Sequence, residues 1–423
     1  MLLLAALVLH SGIPWSLTRS IAGIVPGDRP DLVRGSLIAN LGVAALVAGV
    51  LALLFVTGPL QAALEEPAIL AVIIVTLPLF ATISVARAAA QGWRRFGFIA
   101  ALQVAEVTTK TVAGLALAAA GLGAVGAIAG FTVGGVVAAA MGIGVLAMLG
   151  IRATGGRRRP EGSDLAPMFV ALLGLALLLN VDLLAVKSLA GDRALAGHYQ
   201  AAIILANAPF FLATSALIPP LYAAAASHAD LSSSRPLLGR ALATATVLIL
   251  PFELLLIAVP EVVLAILFPP EYADAAPILR IMAVGNGLLM LAALVAATFQ
   301  AVGRAAVPAR IFLVLAAIEV PVLLLAVPAG GGQAAVITFA SVSGLALAAL
   351  GAAYLRAVRV DTRQVLGWCT RLLVAIAAGL AVALGMRVLA GVIPAMAAGG
   401  VVYLGAAASM RILPRLQLAR RTA

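Results

Sequence analysis

Residues Ala68 to Ala88 read AILAVIIVTLPLFATISVARA, and the nineteen positions before Arg87 carry no charged side chain. At roughly 1.5 Å of rise per helical residue, such a run crosses a hydrocarbon core about 30 Å thick. Inside hydrocarbon only a helix or a closed barrel satisfies the backbone, and the run lacks the apolar/polar alternation of a barrel strand. It is therefore predicted to be a transmembrane helix.

Runs of this kind recur along the whole chain. Read between polar breaks, they place thirteen helices at about 1–22, 35–56, 68–88, 97–119, 125–149, 166–186, 198–218, 241–259, 276–299, 306–327, 333–355, 368–389 and 391–410. The 423 residues are 64% hydrophobic and 10% charged, which excludes a water-soluble domain. The first run has no basic segment before it and no small-residue cleavage site, so it is read as a retained helix rather than a signal peptide. The polar stretches Ile151 to Asp164 and Ala223 to Arg240 have the size of loops. Cys369 is the only cysteine, so no intramolecular disulfide forms and a cysteine-ligated metal is not expected.

A net charge of +11 is compatible with nucleic-acid binding, but the basic residues are scattered through short loops, where membrane topology accounts for them. Basic residues collect on the cytoplasmic side. If the first helix ends there, 22 of the 27 basic residues lie in cytoplasmic segments, including Arg152, Arg157, Arg158 and Arg159 of one loop. Only Lys187, Arg193, Arg280 and Arg387 fall outside, and Lys110 lies within a span. This asymmetry predicts a cytoplasmic C-terminus.

Three features recur at an offset of about 205 to 209 residues. Pro14 near the end of the first helix matches Pro219; Gln91 and Arg95 match Gln300 and Arg304; the Gly121, Gly123, Gly126 turn matches Gly330, Gly331, Gly332. A six-helix repeat that keeps its sidedness is a parallel repeat about the membrane normal. The sixth helix then pairs with one that would precede Met1, so one N-terminal helix is read as missing.

Asn180-Val181-Asp182 followed by Gly197-His198-Tyr199-Gln200-Ala201-Ala202 resembles a recurrent segment of the O-antigen and polysaccharide flippases. So do Phe268 to Leu279 with Tyr272, the Gln300 to Arg304 segment, and Gln91 to Phe96. These belong to the multidrug/oligosaccharidyl-lipid/polysaccharide exporter superfamily. The resemblance implies an all-α integral membrane protein with two six-helix bundles and two extra C-terminal helices. The expected division is an N-terminal bundle at 1–150, a cytoplasmic linker at 151–165, a second bundle at 166–360, and two further helices with a basic tail at 361–423. It also implies a bacterial cytoplasmic membrane, a polyprenyl-diphosphate-linked oligosaccharide as substrate, membrane lipids as surroundings, and glycosyltransferases or polymerases of the same pathway as partners. Nucleic acid is not an expected partner.

No P-loop, HExxH or comparable catalytic motif is present, so no enzyme activity, metal or cofactor is expected. What remains is ionisable residues within spans, which are costly in hydrocarbon unless they face a cavity or a partner. Glu106 and Lys110 share one helix face at i,i+4. They are either a self-neutralised structural pair or a cavity lysine for a substrate phosphate, positioned by Glu106. Asp182 and Asn180 are cavity candidates near the opposite membrane face, with an ion pair or helix cap as the other reading for Asp182. Arg19 is an interfacial arginine or a substrate contact. Glu253 and Glu319, near Pro251 and Pro321, either satisfy backbone groups freed by a kink or bind a coupling cation. Trp15, Trp93, Tyr199, Tyr272, Tyr354, Trp368 and Tyr403 fall near span ends and are expected as interfacial anchors. Rival functions are a cation-coupled multidrug exporter, a membrane-embedded enzyme and a scaffold.

Overall fold

The computed structural model describes residues 9–10, 12–22, 30–58, 67–148, 165–228, 230–359 and 362–410. Among them the regular structure is helical throughout: α1 Ile13–Ile21, α2 Pro30–Val56, α3 Ala68–Gly92, α4 Phe96–Leu117, α5 Gly123–Met148, α6 Leu165–Leu178, α7 Val181–Leu189, α8 Arg193–Ala225, α9 Arg235–Leu248, α10 Leu250–Ala258, α11 Pro260–Leu267, α12 Ala276–Ala301, α13 Ala306–Val358, α14 Thr362–Ala390 and α15 Val392–Ser409. The loop at 151–164 and most of the first predicted helix, up to Val8, lie outside the described residues.

Eight of these stretches are long and apolar enough to cross a membrane. Two of them, at 52 and 53 residues, are hairpins rather than single crossings, since each would extend about 80 Å if straight. They turn at glycines in the left-handed region: Gly121 (φ 95) and Gly123 (φ 49) between α4 and α5, and Gly331 (φ 57) within α13. Glycine has no Cβ and reaches these angles without strain. The arms are the four helices predicted at 97–119, 125–149, 306–327 and 333–355.

Two predicted helices are broken instead. The one expected at 166–186 divides into α6 and α7, bent by 42° at Leu179 and Asn180. The one expected at 241–259 divides into α9 and α10 at Ile249, just before Pro251, whose missing N–H interrupts the ladder. α3 and α12 share an ending: each runs into a left-handed residue three positions beyond a glutamine, Arg94 (φ 57) after Gln91 and Gly303 (φ 78) after Gln300.

The helices group into two compact units. The first holds residues 1–176 with 303–309, and the second 177–302 with 310–423. In the first unit Leu77, Phe80, Ile83, Leu102 and Ala138 form one apolar cluster, and Leu17, Ile21, Val85 and Trp93 another. Asn40 ties the clusters' helices together, donating through Nδ2 to the carbonyls of Leu9 (3.0 Å) and Ala81 (3.1 Å). In the second unit α12 is buried along most of its length, which explains its near-complete lack of charge after Arg280. α14 and α15 pack closely, and Tyr403 donates to the carbonyl of Thr246 at 2.7 Å, joining α15 to α9.

The expectation of interfacial aromatic anchors fails for Trp93, Tyr199, Tyr354 and Tyr403, all of which are buried. Cross-helix hydrogen bonds hold Tyr199 and Tyr403 inward, to Asp182 and to the carbonyl of Thr246, and Trp93 packs in an apolar cluster.

The α4–α5 hairpin is set by a glycine row on α5. A Cβ at Gly126, Gly130 or Gly134 would lie 2.7, 2.4 or 2.7 Å from atoms of α4. Small residues four apart let membrane helices approach backbone to backbone, where packing and not hydrophobicity drives association. Gly130→Val places a branched side chain against the Lys110 carbonyl and the Gly114 Cα. It is expected to cost about 3 kcal/mol or more through overpacking, read as a lowered melting temperature in detergent, whereas Gly144→Ala, with open space around it, should change little.

Candidate functional site

In the first unit the polar groups converge on α4. Glu106 does not pair with Lys110, contrary to the helix-face reading. Its Oε2 accepts from Arg87 Nη2 on α3 at 2.5 Å, and both side chains are largely buried. Lys110 instead places Nζ 4.9 Å from the centroid of the Phe131 ring on α5, a cation–π contact. An arginine one helix away outcompetes the i+4 lysine because its longer planar fork reaches the carboxylate, while the glycine row presses Lys110 toward α5.

α4 exposes two dissimilar stripes. One carries Val104 (65% exposed), Thr108, Val112 (62%) and Leu115 (68%), which suits acyl chains. The other carries Gln103, Val107, Thr111 and half-buried Lys110 beside Glu106. Hydrocarbon does not tolerate an amide and an ammonium, so this stripe must meet water or polar groups. Two cations, Arg87 and Lys110, stand against the single carboxylate of Glu106, and Arg87 Nε is buried without a partner. Arg19, in the last turn of α1, rests against the turn after α12, where a Cβ on Gly303 would come 2.4 Å from its Nη2.

The second unit has the opposite polarity. Asp182 is 1% exposed, in the first turn of α7 just past the bend. Its Oδ2 accepts from the Tyr199 hydroxyl on α8 at 2.6 Å, and its Oδ1 accepts from the Leu183 N–H at 2.8 Å. The bend at Asn180 makes this bond by turning α7 toward α8. Asn180 itself is exposed, and Lys187 is exposed at the far end of α7. Glu319 is 0% exposed and lies near Asp182 and Tyr199. Neither oxygen of Glu319 or of Glu253 has a hydrogen-bond partner, so neither glutamate satisfies a backbone group freed by its proline, and that expectation is corrected. Asn286 donates to Asn207 Oδ1 at 3.1 Å and leaves its own Oδ1 buried without a partner.

The structure thus joins Asp182 with Tyr199 and Glu319 in one unit, and Glu106 with Arg87 in the other. Tyr199 and Arg87 were missed in the sequence, being read as an interfacial anchor and as one of the basic residues on the cytoplasmic side. The only signal was their spacing from charged residues on a neighbouring helix. Chemically, the Asp182 cluster offers oxygen atoms alone, a donor set for a hard cation or a proton. Among the described residues no group of three or more His, Cys, Asp or Glu side chains is placed to hold a metal.

No protein-family model matches the chain, and no curated protein matches it in sequence. Solved structures do. The lipid II flippase MurJ in its inward closed conformation aligns over 97% of this chain and 90% of its own, with TM-score 0.68 and 12% identity. The MATE transporter ClbM, in a complex with Rb+, aligns over 85% of each chain with TM-score 0.62 and 17% identity. The MATE transporter VcmN of Vibrio cholerae, in its bent form, aligns over 84% of this chain and 86% of its own with TM-score 0.60 and 17% identity. This chain is a multi-spanning helical membrane protein with the fold that these transporters share. That fold is also found in a multidrug resistance MATE family transporter of the MOP superfamily.

Proposed function

We propose that this chain is a membrane transporter that flips a polyprenyl-diphosphate-linked oligosaccharide from the cytoplasmic to the outer face of a bacterial cytoplasmic membrane, for cell-surface polysaccharide synthesis. The reading is carried by the polar groups around α4, where Lys110 of α4 and Arg87 of α3 outnumber Glu106. An anionic, sugar-bearing head needs a hydrated and partly cationic path, while its lipid tail stays in the bilayer. The fold shared with the lipid II flippase supports a lipid-linked substrate, and the O-antigen flippase resemblance supports an oligosaccharide. The cytoplasmic C-terminus, the division at 1–150, 151–165, 166–360 and 361–423, and pathway glycosyltransferases or polymerases as partners belong to the same proposal. The test is reconstitution with a fluorescent polyprenyl-diphosphate oligosaccharide and a membrane-impermeant quencher. The quenched fraction should rise with the protein and not in empty vesicles. No rise, with efflux of a cationic dye instead, would replace the flippase with a multidrug exporter.

A cation-coupled mechanism is favoured by Asp182, Tyr199 and Glu319, three oxygen-bearing groups buried together. Asp182→Asn keeps a hydrogen-bonding side chain, so its stability cost is about 1 kcal/mol. The stimulation of transport by an imposed sodium or proton gradient should nevertheless fall by roughly tenfold or more, as expected for losing a charge-assisted contact. Unchanged stimulation would remove the cluster from the coupling path.

A further inference from the structure

Glu253 stands apart from both polar clusters. It sits in the first turn of α10, 1% exposed, with Gly287 of α12 facing its Cγ, and no hydrogen-bond donor reaches either carboxyl oxygen. The titratable groups on the elements packed against α10 are engaged elsewhere. Arg280 of α12 donates to Glu261 of α11 at 2.8 Å and to the carbonyl of Ile257 at 2.9 Å. Tyr403 of α15 is held by Thr246, and Tyr199 of α8 by Asp182. Arg235 and Arg240 of α9 and Cys369 of α14 are the other ionisable groups on these elements, and none of them donates to Glu253.

An ionised carboxylate in this position has neither counter-charge nor donors, and burying such a charge is prohibitive. A bound metal ion does not resolve this, because a hard cation collects about six oxygen ligands and, among the described residues, no group of three or more His, Cys, Asp or Glu side chains includes Glu253. A proton does, since the neutral acid needs one acceptor at most.

The short α10 is also bounded by interruptions on both sides. It begins after the break at Ile249 and ends at Val259 (φ −138, ψ 49), before Pro260. A nine-residue helix between two breaks is a segment that can turn as a unit, and the Arg280 bond to the carbonyl of Ile257 is the tie that such a turn releases.

We propose that Glu253 is a proton-binding site, separate from the Asp182 cluster, that holds its proton in this conformation and exchanges it with water when α10 turns. The inference deepens the transport reading by naming a species to couple, but its readout is independent of transport.

The test is infrared spectroscopy of the full chain in lipid at neutral pH. The carbonyl band of a protonated carboxylic acid should be present, should shift in D2O, and should lose intensity in E253Q but not on addition of sodium. Glu319→Gln serves as a control for the other unpartnered carboxyl. Glu253→Leu, which keeps an apolar site apolar, should fold as well as wild type, and its melting temperature should fall less than that of wild type as pH is raised, Glu319 being left as the other unpartnered carboxyl. Wild type should lose thermal stability over the same rise, because ionisation then favours the unfolded chain. An acid band unchanged in E253Q overturns the proposal. So does a band that never shifts in D2O, which would mark a locked structural acid, or a Glu253→Leu protein that fails to fold where E253Q succeeds.

Discussion

Glu106→Leu is expected to lower the stability of the first unit by about 3 kcal/mol, and Arg87→Leu by a similar amount, because each leaves its partner as an uncompensated charge inside the bundle. The estimate is at the lower end for buried pairs, since the side chains retain 19% and 12% of their exposure and water screens part of the attraction. The Arg87→Leu, Glu106→Leu double variant should recover most of that loss. Two leucines fill the space between α3 and α4 and require no partner, so the double change removes cost and benefit together. Melting temperatures in detergent and accumulation in membranes measure all three. Recovery in the double variant places the pair in the architecture of the first unit. Two additive losses would mean that Arg87 and Glu106 act through separate neighbours, and would leave the 2.5 Å contact without energetic weight.

Much of the fold was legible in the sequence because the bilayer imposes a length and a composition on each crossing. The run at 68–88 and those at 97–119, 125–149, 306–327 and 333–355 are helices in the structure, and the Gly-rich turns at Gly121, Gly123 and Gly331 were legible because glycine alone takes those angles without strain. The bend at Asn180 was not legible. Asn180 is one polar residue in an apolar run, and its departure from helical geometry follows from the tertiary contact that brings Asp182 to Tyr199. The sites fared similarly. Sequence identified Glu106, Lys110, Asp182, Glu253 and Glu319 because an ionisable residue in a span is conspicuous at any register. It could not assign their partners. The i,i+4 rule sees only one helix, whereas Arg87 and Tyr199 arrive from neighbours, and the absence of a partner at Glu253 becomes visible only once every packed element is in place.

The correction at Glu106 also sharpens what Lys110 should do. Lys110→Ala is expected to leave the protein folded and to reduce flipping roughly tenfold or more. The fold should survive because Glu106 retains Arg87, because alanine keeps the Cβ against which Gly134 packs, and because the contact with Phe131 contributes only about 0.5–1 kcal/mol at a half-exposed site. Transport should fall because an ammonium on the exposed polar stripe offers a phosphate a charge-assisted hydrogen bond, whose loss costs about 1.5–3 kcal/mol. Such a group does not persist idle in a span, where the charge alone costs about 2.5–3.5 kcal/mol on the insertion scale. Lys110→Arg keeps the charge and should retain part of the activity. Lys110→Met keeps the length without the charge and should behave as alanine. The quencher assay on reconstituted protein measures the three against equal amounts of wild type. If Lys110→Met flips the labelled lipid at the wild-type rate, the charge is not used, and the polar stripe of α4 loses its claim to the anionic head group.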